Sequence, residues 1–211
     1  YLVNLASNTE LRQKSISALV DEVATAALLG IDYLVVHPGS HGGTGEKEGL
    51  KQVSDSLRSI LQRTEHSRVR LLLETMAGQG TTLGYKLEHF QVILDALDWP
   101  DRLGLCLDTS HLFASGYDLR KKGLYQSFKK KIHNLVGLDR VLCWHFNDTK
   151  KDMGSMIDRH EHIGSGNLGL NLFSFILNDP LWDHIPCILE TPKTGIGDEG
   201  NLALLRKLRG H

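Results

Sequence analysis

The chain has 211 residues, 41% of them hydrophobic and 23% charged, values that suit one globular domain with a substantial core. A net charge of −1 excludes the global basic field of a non-specific nucleic-acid binder, and the longest apolar runs are far too short to cross a bilayer. Three cysteines, Cys106, Cys143 and Cys187, sit in apolar runs without C-x-x-C spacing, which reads as buried thiols in a reducing, intracellular compartment.

The opening Tyr1-Leu2-Val3-Asn4 has neither the basic nor the apolar region of a signal peptide, and residues 1–6 read as a first strand. Ser7 with Glu10 makes a capping box for a helix carrying Ile16, Leu19, Val20, Val23 and Ala27 at helical spacing up to Gly30. A second strand is expected at 31–37, then a Gly-rich loop and a helix with Leu50, Val53, Leu57, Ile60 and Leu61 on one face. The third strand, 69–74, leads to a helix carrying Leu87, Phe90, Ile93, Leu94 and Leu97, which Trp99-Pro100-Asp101 breaks. Strands at 103–108, 140–146 and 186–191 follow. Between and after them lie helices near 121–135, 170–178 and 199–208, and a long loop at 147–169.

Strict alternation of strand and helix predicts a parallel α/β sheet with right-handed crossovers. Near-continuous apolar strands such as Tyr33–Val36 and Leu71–Leu73 fit burial on both faces. No dinucleotide glycine fingerprint follows the first strand. Polar residues at nearly every strand end favour a TIM (β/α)8 barrel, whose site draws on many strands. About six of its eight β/α units are present, so two would precede residue 1, and residues 1–211 read as a single partial domain.

Five strand-like runs end on residues able to bind a metal: His37, Glu74, Asp108, His145 and Glu190. Each has a blander reading as well. Asp108 could cap the turn that holds His111, and His145 could be a satisfied core histidine. Glu74 and Glu190 are harder to dismiss, because an ionised Glu closing an aliphatic run is costly to bury unless paired or metal-bound. In the long loop, Asp158 and His160 fall on one side of an extended segment, with Arg159 pointing elsewhere. The following Gly164-Ser165-Gly166 would let the backbone approach a ligand closely. His37 and His41 flank a Pro-Gly turn, and spacing alone leaves either as the ligand. Eight candidates exceed the four ligands that one zinc takes, so several ions are expected, and ion clusters of this kind serve in-line phosphoryl displacement. Once the carboxylates of Glu74, Asp108, Asp158 and Glu190 engage cations, the remaining charge is positive, and a polyanionic substrate stays possible.

The motifs His37-Pro38-Gly39-Ser40-His41, Glu74-Thr75-Met76-Ala77-Gly78-Gln79-Gly80, Leu107-Asp108-Thr109-Ser110-His111, His145-Phe146-Asn147-Asp148 and Asp158-Arg159-His160 closely resemble those of the endonuclease IV family. The likeness runs in order from Tyr1 to about Glu190. It implies a xylose-isomerase-like barrel and a monomeric, intracellular base-excision-repair enzyme that cleaves duplex DNA 5′ to an abasic site. It implies three zinc ions. Glu74 would bridge two of them, one also bound by His37, the other by Asp108, His145 and Glu190; His111, Asp158 and His160 would take the third. A hydroxide between the first two ions would attack, positioned by Glu74, and cleaning of blocked 3′ ends would accompany incision. Tyr1 and Leu2 match a segment that wedges into the base stack. The family carries a further histidine ligand upstream of the position of Tyr1, so a weakened first zinc site is expected of the chain as given. Two other readings remain: a divalent-metal sugar isomerase or epimerase of the same barrel superfamily, and a catalytically inactive DNA-binding fragment.

Overall fold

The computed structural model describes residues 3–210, which divide into two compact units. The first comprises residues up to Met76 together with Gly80–Cys106, and the second comprises Ala77–Gln79 with Leu107 onward.

In the first unit, α1 (Glu10–Leu28) buries Ile16, Leu19 and Val23 of the expected stripe, but Val20 is only partly covered and Ala26 is buried in place of the exposed Ala27. Its N-cap is Thr9, whose side chain accepts from Leu11 N–H. Ser7 does not form the expected capping box; its hydroxyl accepts from Thr9 N–H and pairs with the Thr9 hydroxyl instead. The helix closes as Ile31 N–H returns to Ala26 O, with Gly30 in the left-handed region at φ +68. Strand β1 (Tyr33–Val36) pairs in parallel with β2 (Arg70–Glu74), and β2 with β3 (Leu103–Asp108). Helices α2 (Glu46–Arg63) and α3 (Leu87–Ala96) follow β1 and β2, burying Leu50, Val53, Leu57 and Ile60, and Leu87, Phe90, Ile93 and Leu94. The break after α3 falls as expected, with Asp98 and Trp99 at positive φ ahead of Pro100.

The chain enters the second unit inside β3, between Cys106 and Leu107. A short helix missed by sequence reasoning, α4 (Thr109–Ala114), begins at once, and α5 (Lys122–Leu135) follows. Strand β4 (Val141–Phe146) pairs in parallel with β5 (Cys187–Leu189), and α6 (Leu170–Leu177) and α7 (Gly197–Leu208) complete the unit. Its core is aromatic. Trp144 meets Trp182 edge-on at 5.7 Å, and Phe146 meets Phe173 at 5.6 Å.

Three further expectations need correction. Residues 3–6 form a turn rather than a strand, because the Asn4 side chain takes up backbone groups: its Oδ1 accepts from the nearby Ala6 N–H and the distant Ser40 N–H, and its Nδ2 donates to Ser40 O. Full burial holds for β3 and nearly so for β2 and β4, but β1 is only partly covered and β5 is largely exposed. Cys106 and Cys143 are buried thiols, whereas Cys187, on β5, is exposed. Among the described residues no helix is long and apolar enough to cross a membrane.

Candidate metal centre

Parallel pairing fixes where the strand-end residues go. In the first unit Val36 lies opposite Leu73, so the next residues, His37 and Glu74, emerge side by side. His37 Nε2 stands 3.1 Å from Glu74 Oε2, and Glu74 is buried. His41 does different work: its Nδ1 accepts from Gly45 N–H at 3.0 Å, securing the Gly-rich loop. His89 is structural, accepting Gly84 N–H on Nδ1, and burial holds its pKa below the ordinary histidine value. Its Nε2 lies 3.4 Å from Glu46, which also accepts from Tyr85 and Lys86.

The second unit gathers the other six candidates. Asp108 ends β3 with 0% of its surface exposed, and its Oδ1 accepts from His111 N–H at 2.8 Å. Capping α4 is therefore one job of this carboxylate, and it turns the His111 ring back toward the strand end. His111 Nε2 lies 3.1 Å from Asp158 Oδ1 and 3.4 Å from His160 Nε2. His160 Nε2 in turn stands 3.5 Å from Asp158 Oδ1 and 3.9 Å from Asp108 Oδ2. Asp158 and His160 do lie together, on an extended segment whose Arg159 is exposed. On the neighbouring strands His145, in β4, places Nδ1 3.1 Å from Oε2 of Glu190, which follows β5. Ligand atoms of Asp108, His111 and His160 fall within 4.8 Å of one another, as do those of Asp108, His145 and Glu190. The burial argument stands for Glu74 but not for Glu190, whose side chain is 44% exposed.

Buried polar residues without a sequence-stated role hold this cluster. Asn147 Nδ2 donates to Asp108 Oδ2 at 2.6 Å, and its Oδ1 accepts from Glu190 N–H at 3.0 Å. Asp148 is fully buried and accepts from Thr149 and Leu168 N–H on Oδ1 and from Gly164 and Gly166 N–H on Oδ2. Burial raises its pKa, and those four amides oppose the shift. Its backbone also exchanges two hydrogen bonds with Glu161, which closes the loop carrying Asp158 and His160. The glycine pair serves this carboxylate: a Cβ on Gly166 would come within 2.3 Å of Asp148 Oδ1. Asn201, from α7, accepts Ile163 N–H and donates to Thr191 Oγ1. The signal available in sequence was an Asn-Asp pair directly after a strand-end histidine, with glycines to accommodate it.

Carboxylate oxygens and imidazole nitrogens converging at these separations are the donor set that zinc and similar divalent cations take. The residues fit such ions. Tyr1 and Leu2, expected at a DNA interface, lie outside the described residues.

A family model described as a xylose isomerase-like TIM barrel matches residues 1–209. A protein of Chloroflexus aggregans called "Probable endonuclease 4" is 48% identical over 211 residues, covering 99% of this chain and 74% of its own length. The crystal structure of endonuclease IV from Thermus thermophilus superposes with a TM-score of 0.83 at 35% identity, over 99% of this chain and 72% of that one. A D-tagatose 3-epimerase-like protein reaches a TM-score of 0.74 at 21% identity, over 98% of this chain and 72% of that one, a likeness of fold alone.

Proposed function

The chain belongs to the endonuclease IV family of nucleases, and we propose that it hydrolyses the phosphodiester bond 5′ to an abasic site in duplex DNA with the help of bound zinc. One observation carries the reading: six acidic and histidine side chains of one unit converge, with individual pairs 3.1–3.9 Å apart and the ligand atoms of Asp108 within 4.8 Å both of those of His111 and His160 and of those of His145 and Glu190. In this reading His37, Glu74, Asp108, His111, His145, Asp158, His160 and Glu190 hold three ions, and residues 1–211 act as one monomeric domain. The ions would neutralise charge on the reacting phosphate and lower the pKa of water.

The chain's own residues supply the rest. Glu74, the buried carboxylate, orients the attacking water and accepts its proton. Oxygen bonds to phosphorus as the P–O3′ bond breaks, and the departing O3′ takes up a proton, leaving a 3′-hydroxyl. The same attack on a blocked 3′ terminus would clean it. Tyr1 and Leu2 are assigned the wedge beside the abasic nucleotide, a role suited to an aromatic–aliphatic pair.

A duplex carrying one stable abasic analogue tests the reading. The zinc-loaded protein should give a single nick 5′ to the analogue. Glu74→Gln should lower the rate by about 10²–10⁴-fold with circular dichroism unchanged. Binding without a nick would support an inactive DNA binder, and turnover of a ketose without nicking would support the epimerase reading that the shared fold leaves open.

A further inference from the structure

Asn147 directly follows β4 and is completely buried. Both ends of its amide are used. The nitrogen donates to Asp108 Oδ2 at 2.6 Å, and the oxygen accepts the backbone N–H of Glu190 at 3.0 Å. Its main chain is pinned as firmly: Asn147 N–H donates to Thr109 Oγ1 at 2.9 Å, and the Thr109 hydroxyl donates to Asn147 O at 2.7 Å. Thr109 is itself buried and adjacent to Asp108. A single side chain thus ties the carboxylate that ends β3 to the backbone of the residue that follows β5, from the end of the strand between them in sequence.

The chemistry of the position is narrow. An amide both donates and accepts, and no other side chain of this length does so in a fixed plane. Aspartate would set a second carboxylate against Asp108, leucine would offer neither function, and glutamine is one methylene too long. Oδ1 of Asp108 accepts from His111 N–H and Oδ2 from Asn147, and these two bonds set the orientation of the carboxylate.

We propose that Asn147 is a positioning residue of the metal centre, holding Asp108 and Glu190 in ligating register before any ion arrives. The inference rests on the reading that these two residues bind metal. Pre-set geometry of this kind characteristically strengthens metal affinity without contact to the ion.

The test is metal titration of the purified chain, with Co2+ followed by visible absorption and Zn2+ by calorimetry. Asn147→Leu should keep the far-ultraviolet circular dichroism of the parent yet bind one ion roughly 10–100-fold more weakly, with an altered cobalt spectrum. Tyr125→Phe is the control. It removes hydrogen bonds to Asp179 and Trp182 in the same unit, and should lower the melting temperature while leaving the titration unchanged. If Asn147→Leu does not fold, Asn147→Ser, whose hydroxyl is too short to reach both partners, is read in the same way. A parental titration in either variant would overturn the proposal. Failure of the parent chain to take up cobalt or zinc would instead sink the metal-centre reading, and the inference with it.

Discussion

The two units are stabilised by different means. In the first, α2 and α3 bury aliphatic side chains, and the clearest polar assembly is a partly exposed clamp in which Glu46 receives Tyr85, Lys86 and His89. In the second, fully buried polar groups (Thr109, Asn147, Asp148 and Asn201) support the candidate ligands. Buried polar networks are costly unless every member is satisfied, and when satisfied they specify one arrangement. Precision at the candidate centre therefore comes from hydrogen bonds, and stability in the first unit comes mainly from burial of apolar area.

The comparison would break most visibly at Asp148. Replacing it with Ala leaves four backbone amides without their acceptor, each worth about 1–3 kcal/mol when unsatisfied, although water reaches some of them. Urea unfolding should show a loss of about 3–5 kcal/mol, and limited proteolysis should cut within residues 155–168. A loss under about 1 kcal/mol would mean that this network does not organise the loop. Next, Leu57→Ala in the first unit should cost about 2–5 kcal/mol, as expected for a fully buried aliphatic side chain. Zinc affinity measured on the same variant should stay within about threefold of the parent, below the roughly 10–100-fold expected of lost ligand support. A larger fall would dissolve the distinction between the two units.

Smaller effects sharpen the contrast. Thr109→Val removes the acceptor of Asn147 N–H and should cost about 1–3 kcal/mol, with zinc affinity falling alongside stability. The smallest effect is at Glu46, whose pKa the Tyr85 hydroxyl in particular, with Lys86 and His89, lowers to about 2. A folded-state value below the unfolded one gives stability that is present above about pH 4.5 and lost as pH falls toward 2. Glu46→Gln should therefore lower the denaturation midpoint more at pH 6 than at pH 3. The difference should be slight, because the clamp is solvated. An equal change at both pH values would remove Glu46 from the account.

Much of this was legible in sequence because periodicity and strand ends carry it. The stripe Ile16, Leu19, Val23 marks α1, and apolar runs closing on His37, Glu74, Asp108, His145 and Glu190 mark the ends of five parallel strands. What sequence could not supply was context. Residues 1–6 have strand composition, yet residues 3–6 turn because the Asn4 side chain finds partners at Ala6 and Ser40, the latter distant in sequence. Cys187-Ile188-Leu189 looks as apolar as Leu71-Leu72-Leu73, but Ile188 is 46% exposed while the latter three are buried, since burial depends on neighbours rather than on the run itself. Asn147 and Asp148 stood out only as part of the motif His145-Phe146-Asn147-Asp148 and carried no assigned contacts, because their partners lie up to 43 residues away. Gly164 and Gly166 suggested approach to a ligand, and what approaches them is Asp148.

The central claim is that the protein cuts DNA through ions held by these carboxylates and histidines. Stripping the protein with a chelator, then restoring zinc in steps while following cleavage of a duplex with one abasic analogue, measures it directly. The stripped protein should make no incision. Restored zinc should bring back a single cut 5′ to the analogue, leaving a 3′-hydroxyl that a polymerase extends. Full activity after chelation, or a cut 3′ to the analogue, would contradict it.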